Sequence, residues 1–308
     1  MNQKKKRLHR LLLHWYKKNK RSLPWRLTHN PYRILLSEIM LQQTQVARVE
    51  QIYPRFLQAF PSLKNLAQSA PSKAIRAWRG MGYNRRALRL RDLALKVVSE
   101  LNGKLPQSTE ELQSLPGIGG YTAHAVSCFA FGQQVPVVDV NVRRVLSRIF
   151  WRMKKVSEAR TDSEIWKFAA TLLPRGRAYD WNQALMEFGA TICTKLKPNC
   201  SACPINTTCA SAASLSSSRP PVRTRIKRTE PQYFGTPIRI YRGRIIEQLR
   251  YLHGKRTIGE SRLGQCIKTD FTKSELPWLR SVLNGLAKDG LLTKRTNGRT
   301  QYICLPNS

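Results

Sequence analysis

Acidic side chains are scarce in this chain of 308 residues, where 18 Asp and Glu stand against 54 Lys and Arg. The formal net charge is +36, and the isoelectric point is near 10.8. An excess of this size, spread along the whole chain, favours a polyanionic partner. Nucleic acid is the expected partner, and an anionic membrane surface is the weaker alternative. The length allows one to three domains with sizeable cores.

Long apolar runs are also missing. No stretch approaches the roughly 18 apolar residues that a membrane span needs. Within residues 1–20 the apolar run is 11–13, which is too short for the core of a signal peptide. We therefore expect a cytoplasmic protein without a membrane partner. In that reducing setting the seven cysteines are expected as thiols or metal ligands rather than disulfides.

Alternating patterns typical of strands are absent before residue 230. Apolar residues instead recur at helical spacing, with Pro and Gly between the segments. Helices are predicted over 8–19, from 31 onward, and over 48–59, 63–69, 72–79, 84–101, 141–151, 162–173 and 178–192, with a helical hairpin at 108–131. The pattern predicts an all-α body in two helical lobes with a cleft between them.

Residues 211–236 are rich in Ser and Pro and then become basic. This composition indicates a linker. We therefore expect a helical domain at 1–210 and a separate small module at 237–308.

The module pattern predicts three helices and a β-hairpin. The helices are expected at 238–252, 257–267 and 273–286. Asn297-Gly298 is a strong signal for the hairpin turn. This order is typical of a winged helix, whose third helix enters the major groove while Lys294, Arg295 and Arg299 contact the DNA backbone. A dimerisation or packing module is the alternative.

Three glycines, Gly117, Gly119 and Gly120, separate two apolar helical patterns. They predict a tight turn with backbone N–H groups open at a helix start, which suits a phosphate. Further along, Asp139 precedes a basic helix start. A phosphate site near a carboxylate indicates chemistry on a nucleic acid. On these residues alone, a plain turn and a helix N-cap remain the alternative.

Four cysteines share the spacing C-x6-C-x2-C-x5-C: Cys193, Cys200, Cys203 and Cys209. Four thiolates in one short loop bind either Zn²⁺ or an iron–sulfur cluster. Zinc sites usually pair two C-x2-4-C knuckles across a longer insert. A single pair here has knuckle spacing, which favours a [4Fe–4S] cluster and leaves zinc as the weaker alternative. Cys128, Cys266 and Cys304 lie in apolar stretches and are expected in the core.

Together these features resemble the helix-hairpin-helix DNA glycosylases of the endonuclease III superfamily, and within it the adenine DNA glycosylases of the MutY type. The motifs are Leu23-Pro-Trp-Arg26, Ser37-Glu-Ile-Met-Leu-Gln-Gln-Thr-Gln-Val46, Gly80-Met-Gly-Tyr83, the hairpin, Asp139-Val-Asn141 and the four cysteines. The resemblance covers residues 8–210. It implies the helix-hairpin-helix glycosylase fold with an iron–sulfur loop at 193–209. It also implies a base excision repair enzyme that flips adenine out of a mismatch with 8-oxoguanine or guanine and hydrolyses its glycosidic bond.

By the resemblance, two carboxyl groups carry the reaction. Glu38 would be the general acid that protonates the purine, and its apolar helix would raise its pKa. Asp139 would stabilise the cationic sugar or bond to it transiently, as in glycoside hydrolysis. Asn141 would position the water or Asp139.

The resemblance also implies contacts with the mismatched base pair. Trp25 and Arg26 would approach the flipped base. Gln43 and Thr44 would fill and border the gap on the partner base's side, and Tyr83 would wedge into the stack. Core packing is the alternative for Trp25 and Tyr83.

At the hairpin, Gly117, Gly119 and Gly120 would grip the DNA backbone beside the lesion, with a monovalent cation as a further expected ligand. Tyr121 stands where bifunctional members of the superfamily carry a Schiff-base lysine. Because that amine is absent, we expect a monofunctional glycosylase with little or no lyase activity. Tyr121 would line the sugar pocket. The protein is expected to act as a monomer on double-stranded DNA, in association with the nucleoid.

The chain departs from the group in two places. A larger C-terminal domain resembling the Nudix fold usually reads 8-oxoguanine, and the module at 237–308 is too small for it. Asn84 follows Tyr83 where the group often has a second Tyr. The departures sustain an alternative, a thymine or uracil glycosylase acting on G·T or G·U. A remote alternative is a non-catalytic winged-helix iron–sulfur transcription regulator, which leaves Glu38 and Asp139 without a role.

Overall fold

The computed structural model of the protein describes residues 2–152, 161–216, 230–252, 257–297 and 300–306. By its internal contacts the chain divides into two compact units, each built from separate stretches of sequence. The first unit holds Met1–Leu35, Pro106–Ser114 and Ile118–Arg225, and the second holds Leu36–Leu105, Leu115–Gly117 and Ile226–Ser308. Each unit has its own apolar core.

Helices dominate the described residues. In chain order they are α1 (Asn2–Asn19), α2 (Pro31–Leu41), α3 (Val46–Ala59), α4 (Leu63–Ala67), α5 (Pro71–Ala77), α6 (Arg85–Glu100), α7 (Thr109–Gln113), α8 (Gly120–Phe131), α9 (Val140–Trp151), α10 (Asp162–Thr171), α11 (Ala178–Thr191), α12 (Ala212–Ser216), α13 (Ile238–Tyr251), α14 (Glu260–Ile267) and α15 (Leu276–Lys288). No strand precedes Gln232 in the part of the chain described, which confirms the predicted all-α body. No described helix is long and apolar enough to cross a membrane.

Helix α1 begins earlier than the apolar pattern predicts. The pattern starts at Leu8, but the helix starts at Asn2. The residues between include three Lys and an Arg, which are good helix formers even without an apolar face. Lys4 Nζ also donates to the carbonyl of Ile149 at 3.2 Å. A tertiary contact therefore extends the helix beyond its amphipathic part.

The core of the first unit lies where α1, α9, α10 and α11 meet. Leu8, Leu12, Val145, Leu185 and Phe188 are almost fully buried in it. On α1 the two leucines lie one turn apart, so that they point to the same side. This core supports the start of α9, and Asp139 lies immediately before that start.

The module at 237–308 contains a strand that the sequence pattern did not predict. The pattern predicts a helix from residue 257, but residues Ile258–Gly259 form β3 and α14 begins at Glu260. Ile258 pairs with Ile303 in β5 (Thr300–Cys304). Together with β4 (Thr293–Asn297) they form an antiparallel sheet in the order β3-β5-β4. Gly298 and Arg299 of the predicted hairpin lie outside the described residues.

Both described ends of the predicted linker are structured, which corrects the sequence interpretation of 211–236. One end forms α12, and the other forms a short hairpin of β1 (Gln232–Tyr233) and β2 (Thr236–Pro237). The ring of Tyr233 stacks on Trp278 with centroids 3.9 Å apart. The Ser- and Pro-rich composition gave no sign of this stacking, which fixes the end of the segment. Residues 217–229 lie outside the part described.

A buried carboxylate ties the chain near residue 21 to α11. The side chain of Glu187 is 0% exposed and accepts hydrogen bonds from Arg21 at 2.6 Å and from Arg26 at 2.8 Å. Burial alone would raise the pKa of Glu187, but the hydrogen bonds and charges of the two arginines outweigh it and hold the pKa below its ordinary value of 4.5. The ionised form is therefore the one that the fold stabilises.

We expect Glu187→Gln to lower the free energy of unfolding by about 3 kcal/mol at neutral pH, because it leaves Arg26 buried without its countercharge. A lowered carboxyl pKa stabilises the fold above the unfolded value and loses that contribution as the pH falls through the folded value. The difference from the wild type should therefore shrink below pH 4.5. Urea unfolding of the full chain at neutral and acidic pH measures it.

The control is Glu100→Gln, which removes an exposed partner of Lys96 on α6. Such surface pairs contribute on the order of 0.5 kcal/mol. An equal loss for the two variants, or a Glu187→Gln difference that is independent of pH, would contradict the account.

Candidate active site

The Gly-rich hairpin consists of α7, a turn and α8. Gly117 has φ +81°, and a Cβ added there would lie 3.4 Å from the Cβ of Arg89. This position therefore needs glycine for its backbone conformation. Gly119 caps α8 with φ −92°, and Gly120 is the first residue of that helix. The backbone N–H groups of this first turn have no acceptor within the helix, as a phosphate site requires.

Tyr121 follows in the first turn of α8 and is half-buried. It brings a phenol rather than an amine to this position. A phenol cannot form a Schiff base with an opened sugar.

Asp139 is both a helix cap and a candidate catalytic carboxylate. Its Oδ1 accepts hydrogen bonds from the backbone N–H groups of Asn141 at 2.9 Å and Val142 at 2.7 Å. Its Oδ2 accepts from the side-chain amide of Asn141 at 2.8 Å. The N-cap alternative is therefore confirmed. The carboxylate is half-buried and held by three donors, which orients it as a catalytic group must be.

The segment before Asp139 is held by Asn182, which sequence reasoning missed. This residue of α11 is 2% exposed. Its Oδ1 accepts from the N–H of Val137 at 3.0 Å, and its Nδ2 donates to the carbonyl of Val135 at 2.9 Å. The extended chain at 135–137 thus forms strand-like hydrogen bonds with a side chain. A lone Asn within an apolar helix is the signal that the sequence offered.

Asn141 is fixed by the close approach of α9 to α11. A Cβ added at Gly189 would lie 2.7 Å from the Cβ of Asn141. Arg144 donates to the carbonyl of Gly189 at 2.7 Å and to Oδ1 of Asn141 at 2.9 Å. Gly189 and Arg144 were also missed, although an isolated Gly inside a helical pattern often marks close packing.

Glu38 lies in the part of α2 that belongs to the second unit. Residues 34–40 are all buried, and Glu38 is 4% exposed. The glutamate is therefore not on a solvated helix face, where the charged residues of an amphipathic helix usually lie. Removal from water disfavours the ionised form of a carboxyl group.

Gln43, Thr44 and Tyr83 are brought together around a buried arginine, Arg86, that sequence reasoning also missed. Arg86 donates to Oγ1 of Thr44 at 3.0 Å. Its other acceptors are the carbonyls of Ile39 at 2.9 Å, Met40 at 3.0 Å, Met81 at 3.1 Å and Gly82 at 3.3 Å, together with that of Gln42. Burial lowers the pKa of Arg86 to about 10. The side chain therefore remains charged at neutral pH.

Two residues beside Arg86 have unusual backbones. Gln43 has φ +55° and Tyr83 has φ +45°. Side-chain-bearing residues in this region store strain, which often marks functional loops. Tyr83 is also 63% exposed, so it is not a core residue, and the Cζ of Arg86 lies 5.5 Å from its ring centre.

Trp25 and Arg26 lie in the first unit. Trp25 is 6% exposed, which fits the core alternative. Arg26 donates to Glu187, to Oε1 of Gln183 at 2.9 Å and to the carbonyl of Arg21 at 3.2 Å. Their approach to a flipped base stays a prediction.

The four cysteines Cys193, Cys200, Cys203 and Cys209 line one small cavity behind α9 and α11. Burial, and then the neighbouring thiols, raise the pKa of Cys203 to about 11. Arg148 donates to the Sγ of Cys193 at 3.4 Å. Among the described residues, no group of three or more His, Cys, Asp or Glu side chains is arranged to hold a metal ion.

The other three cysteines divide. Cys128 and Cys304 are buried as predicted. Cys266 is exposed, so its prediction as a core residue is wrong. Its neighbours on α14, Leu263 and Ile267, take the buried face instead.

Comparison with known sequences identifies the family of the chain. Residues 36–171 match the HhH-GPD superfamily of base excision DNA repair proteins. The adenine DNA glycosylase of Homo sapiens is 44% identical over 207 residues, which is 64% of this chain and 38% of that protein. The adenine DNA glycosylase of Mycolicibacterium smegmatis is 37% identical over 297 residues, covering 94% of this chain and 93% of that protein.

Comparison of folds agrees. The structure of a thermostable thymine-DNA glycosylase covers 69% of this chain and 98% of its own, with 33% identity and a TM-score of 0.65. A non-covalent endonuclease III–DNA complex, 22% identical, covers 70% of this chain and 99% of its own with a TM-score of 0.60, which shows the shared fold. The chain belongs to the HhH-GPD superfamily of base excision DNA repair proteins and, within it, to the adenine DNA glycosylases.

Proposed function

We propose that the protein is a monofunctional DNA glycosylase that hydrolytically removes adenine mispaired with 8-oxoguanine or guanine in double-stranded DNA. The observation that carries the proposal is the contrast between two carboxyl groups. Glu38 is almost fully buried, whereas Asp139 is half-buried and accepts three hydrogen bonds. Such contrasting environments suit two different roles, a proton donor and a group that stabilises positive charge on the sugar.

In the proposed reaction, the C1′–N9 bond of the flipped nucleotide breaks and its electron pair leaves with the base. Glu38 donates a proton to the purine, at N7, and so improves the leaving group. The positive charge that develops on the sugar is stabilised by Asp139, either through space or through a transient bond. Water then adds to C1′, displacing any bond to Asp139, and gives its proton to the Glu38 carboxylate, which restores the acid. Asn141 orients the water or Asp139 for this step.

DNA binding is proposed to use the formal charge of +36 and the hairpin. Gly117, Gly119 and Gly120 grip the backbone beside the lesion, with a monovalent cation at the same turn. Tyr83, exposed on a strained loop, wedges into the stack, and Gln43 and Thr44 border the gap on the partner base's side. The protein acts as a monomer.

Further elements of the proposal concern the flipped base and the domains. Trp25 and Arg26 form the wall that the flipped base approaches. The glycosylase domain is assigned to 1–210 and the second DNA-binding module to 237–308.

We expect the wild type to release adenine from A·8-oxoG and A·G duplexes and no base from G·T or G·U duplexes. Because Tyr121 supplies no amine, the product strand should stay intact until alkali is added. Glu38→Gln and Asp139→Asn should each lower single-turnover release by at least about 10²-fold. Both should retain DNA binding. At position 139 the helix cap is kept, since Asn is also a good N-cap.

Asp92→Asn, which changes an exposed carboxylate on α6, serves as the matched control and should excise normally. Unchanged adenine release by either carboxyl variant would refute the proposed roles. Release of thymine instead of adenine would favour the alternative glycosylase. A strong borohydride-trapped adduct would refute the monofunctional assignment.

We also propose that Cys193, Cys200, Cys203 and Cys209 bind a [4Fe–4S] cluster, with zinc as the weaker alternative. Support comes from the donor set, since four thiols line one cavity. Arg148 fits this role because it donates to Cys193 and to the loop carbonyls of Thr194 at 2.7 Å and Lys195 at 3.0 Å. A bound cluster would cross-link the loop at four points and stabilise it.

The purified protein should therefore contain about four iron atoms per chain and absorb visible light. Cys203→Ser should lose both, whereas Cys266→Ser should keep both, because Cys266 is exposed on α14. Metal analysis and absorbance of the two variants measure this. Stoichiometric zinc without iron in the wild type would contradict the cluster.

A further inference from the structure

The loop that carries Tyr83 is anchored by the C-terminal residues of the same unit. Arg250 of α13 is 9% exposed and donates to Oδ1 of Asn84 at 2.8 Å. The same guanidinium donates to the carbonyl of Ile75 at 3.1 Å and to Glu247 at 3.1 Å. Asn84 is thus held by a buried cation at the position directly after Tyr83.

A second contact holds the next residue. Arg85 pairs with Asp289, just beyond α15, at 3.0 Å. On the other side of the loop, Arg79 pairs with Glu247 and contacts the ring of Tyr251, with its Cζ 4.8 Å from the ring centre. Charged contacts to C-terminal residues therefore flank the loop at 80–84 on both sides.

The C-terminal helices also share an apolar core with α5 and α6. Ile75 of α5 is 0% exposed and belongs to the same core as Ile245 and Leu249 of α13 and Leu279 of α15. Leu88 of α6 packs against this core. A shared core with buried hydrogen bonds holds the two parts of the unit in a fixed arrangement, which a loosely tethered module would not have.

Tyr83 itself faces open space. With Gln43 it lines a cleft of about 870 Å³, whose other side includes Arg239 and Arg242 of α13. The ring is exposed while its backbone is strained at φ +45°. Strain of this kind persists only where the surroundings hold it.

We infer that Asn84 and Arg250 are positioning residues: the C-terminal module holds the Tyr83 loop in its strained conformation, so that the ring is preorganised to enter the duplex and unstack the adenine. The inference rests on the proposed function of Tyr83 as a wedge. It gives the module a role in base flipping that is separate from any groove contact of its own. It also gives Asn84 a role, because its amide oxygen is an acceptor for Arg250.

The test compares an adenine paired with 8-oxoguanine and an adenine in a single-nucleotide bulge, which is already partly unstacked. Asn84→Ala should lower single-turnover excision from the paired duplex by about tenfold, since a hydrogen bond to a charged group is lost. Excision from the bulge should change by less than about twofold, because little wedging is needed there. Tyr83→Ala, which removes the proposed wedge itself, should lower excision from the paired duplex at least as much as Asn84→Ala.

Asn84→Asp keeps an acceptor for Arg250 and should restore excision from the paired duplex. Asn84 makes no side-chain cap bond to α6, so the alanine variant should remain folded at the assay temperature, which circular dichroism checks. A general structural defect would instead slow both substrates equally. That result, or full activity of Asn84→Ala on the paired duplex, would overturn the inference.

A second readout does not depend on catalysis. The fluorescence of 2-aminopurine placed beside the mismatch should rise when wild-type protein binds and rise less with Asn84→Ala. If the wild type unstacks the probe but releases no adenine, the proposed function fails while the inference stands. Equal fluorescence for wild type, Asn84→Ala and Tyr83→Ala would refute the inference.

Discussion

The candidate active site depends above all on the close packing of α11 against α9 at Gly189. The absence of a side chain at Gly189 lets the backbone of α11 approach Asn141, and Arg144 joins the two helices by donating to both residues. Asn141 in turn donates to Asp139. The same arginine donates through Nε to the carbonyl of Cys193 at 3.0 Å. The contact between α9 and α11 therefore positions both the candidate carboxylate, Asp139, and the start of the cysteine loop.

Each of the two units contains an arginine, removed from water, that is held mainly by carbonyl oxygens. In this chain of 54 basic and 18 acidic residues, some buried arginines pair with carboxylates, as Arg250 does with Glu247. Arg144 and Arg86 instead donate mainly to carbonyl oxygens of loops and helix ends. Burial lowers the pKa of both. Each guanidinium donates to several backbone carbonyls at once, and it thereby holds the segments that carry those carbonyls in place.

The sequence predicted most helices because apolar spacing and Pro or Gly breaks are local signals. It also indicated the cysteines by their spacing and Asp139 by its place before a basic helix start, whereas Tyr121 was singled out through the resemblance to the glycosylases. Features that depend on a distant partner escaped prediction. Strand β3 exists because Ile258 pairs with Ile303, and the linker is shortened by the stacking of Tyr233 on a remote tryptophan.

The supporting residues of the site were hidden for the same reason. Asn182, Arg86 and Gly189 resemble ordinary helix residues in the sequence, and their roles arise from loops and helices far along the chain. For Glu38 the structure adds the environment: the neighbouring residues of α2, 34–40, are all buried. Composition alone could not distinguish that environment from a solvated helix face.

The most direct test of this account is the single-turnover rate of adenine release by Gly189→Ala. The added methyl would meet the Cβ of Asn141 at 2.7 Å, so α9 must shift, and a misplacement of about 1 Å can cost on the order of 10²-fold in rate. Ala190→Ser adds one atom at the next, exposed position and is the control. We predict slow release with retained DNA binding for Gly189→Ala and a normal rate for the control. A wild-type rate for Gly189→Ala would contradict the account.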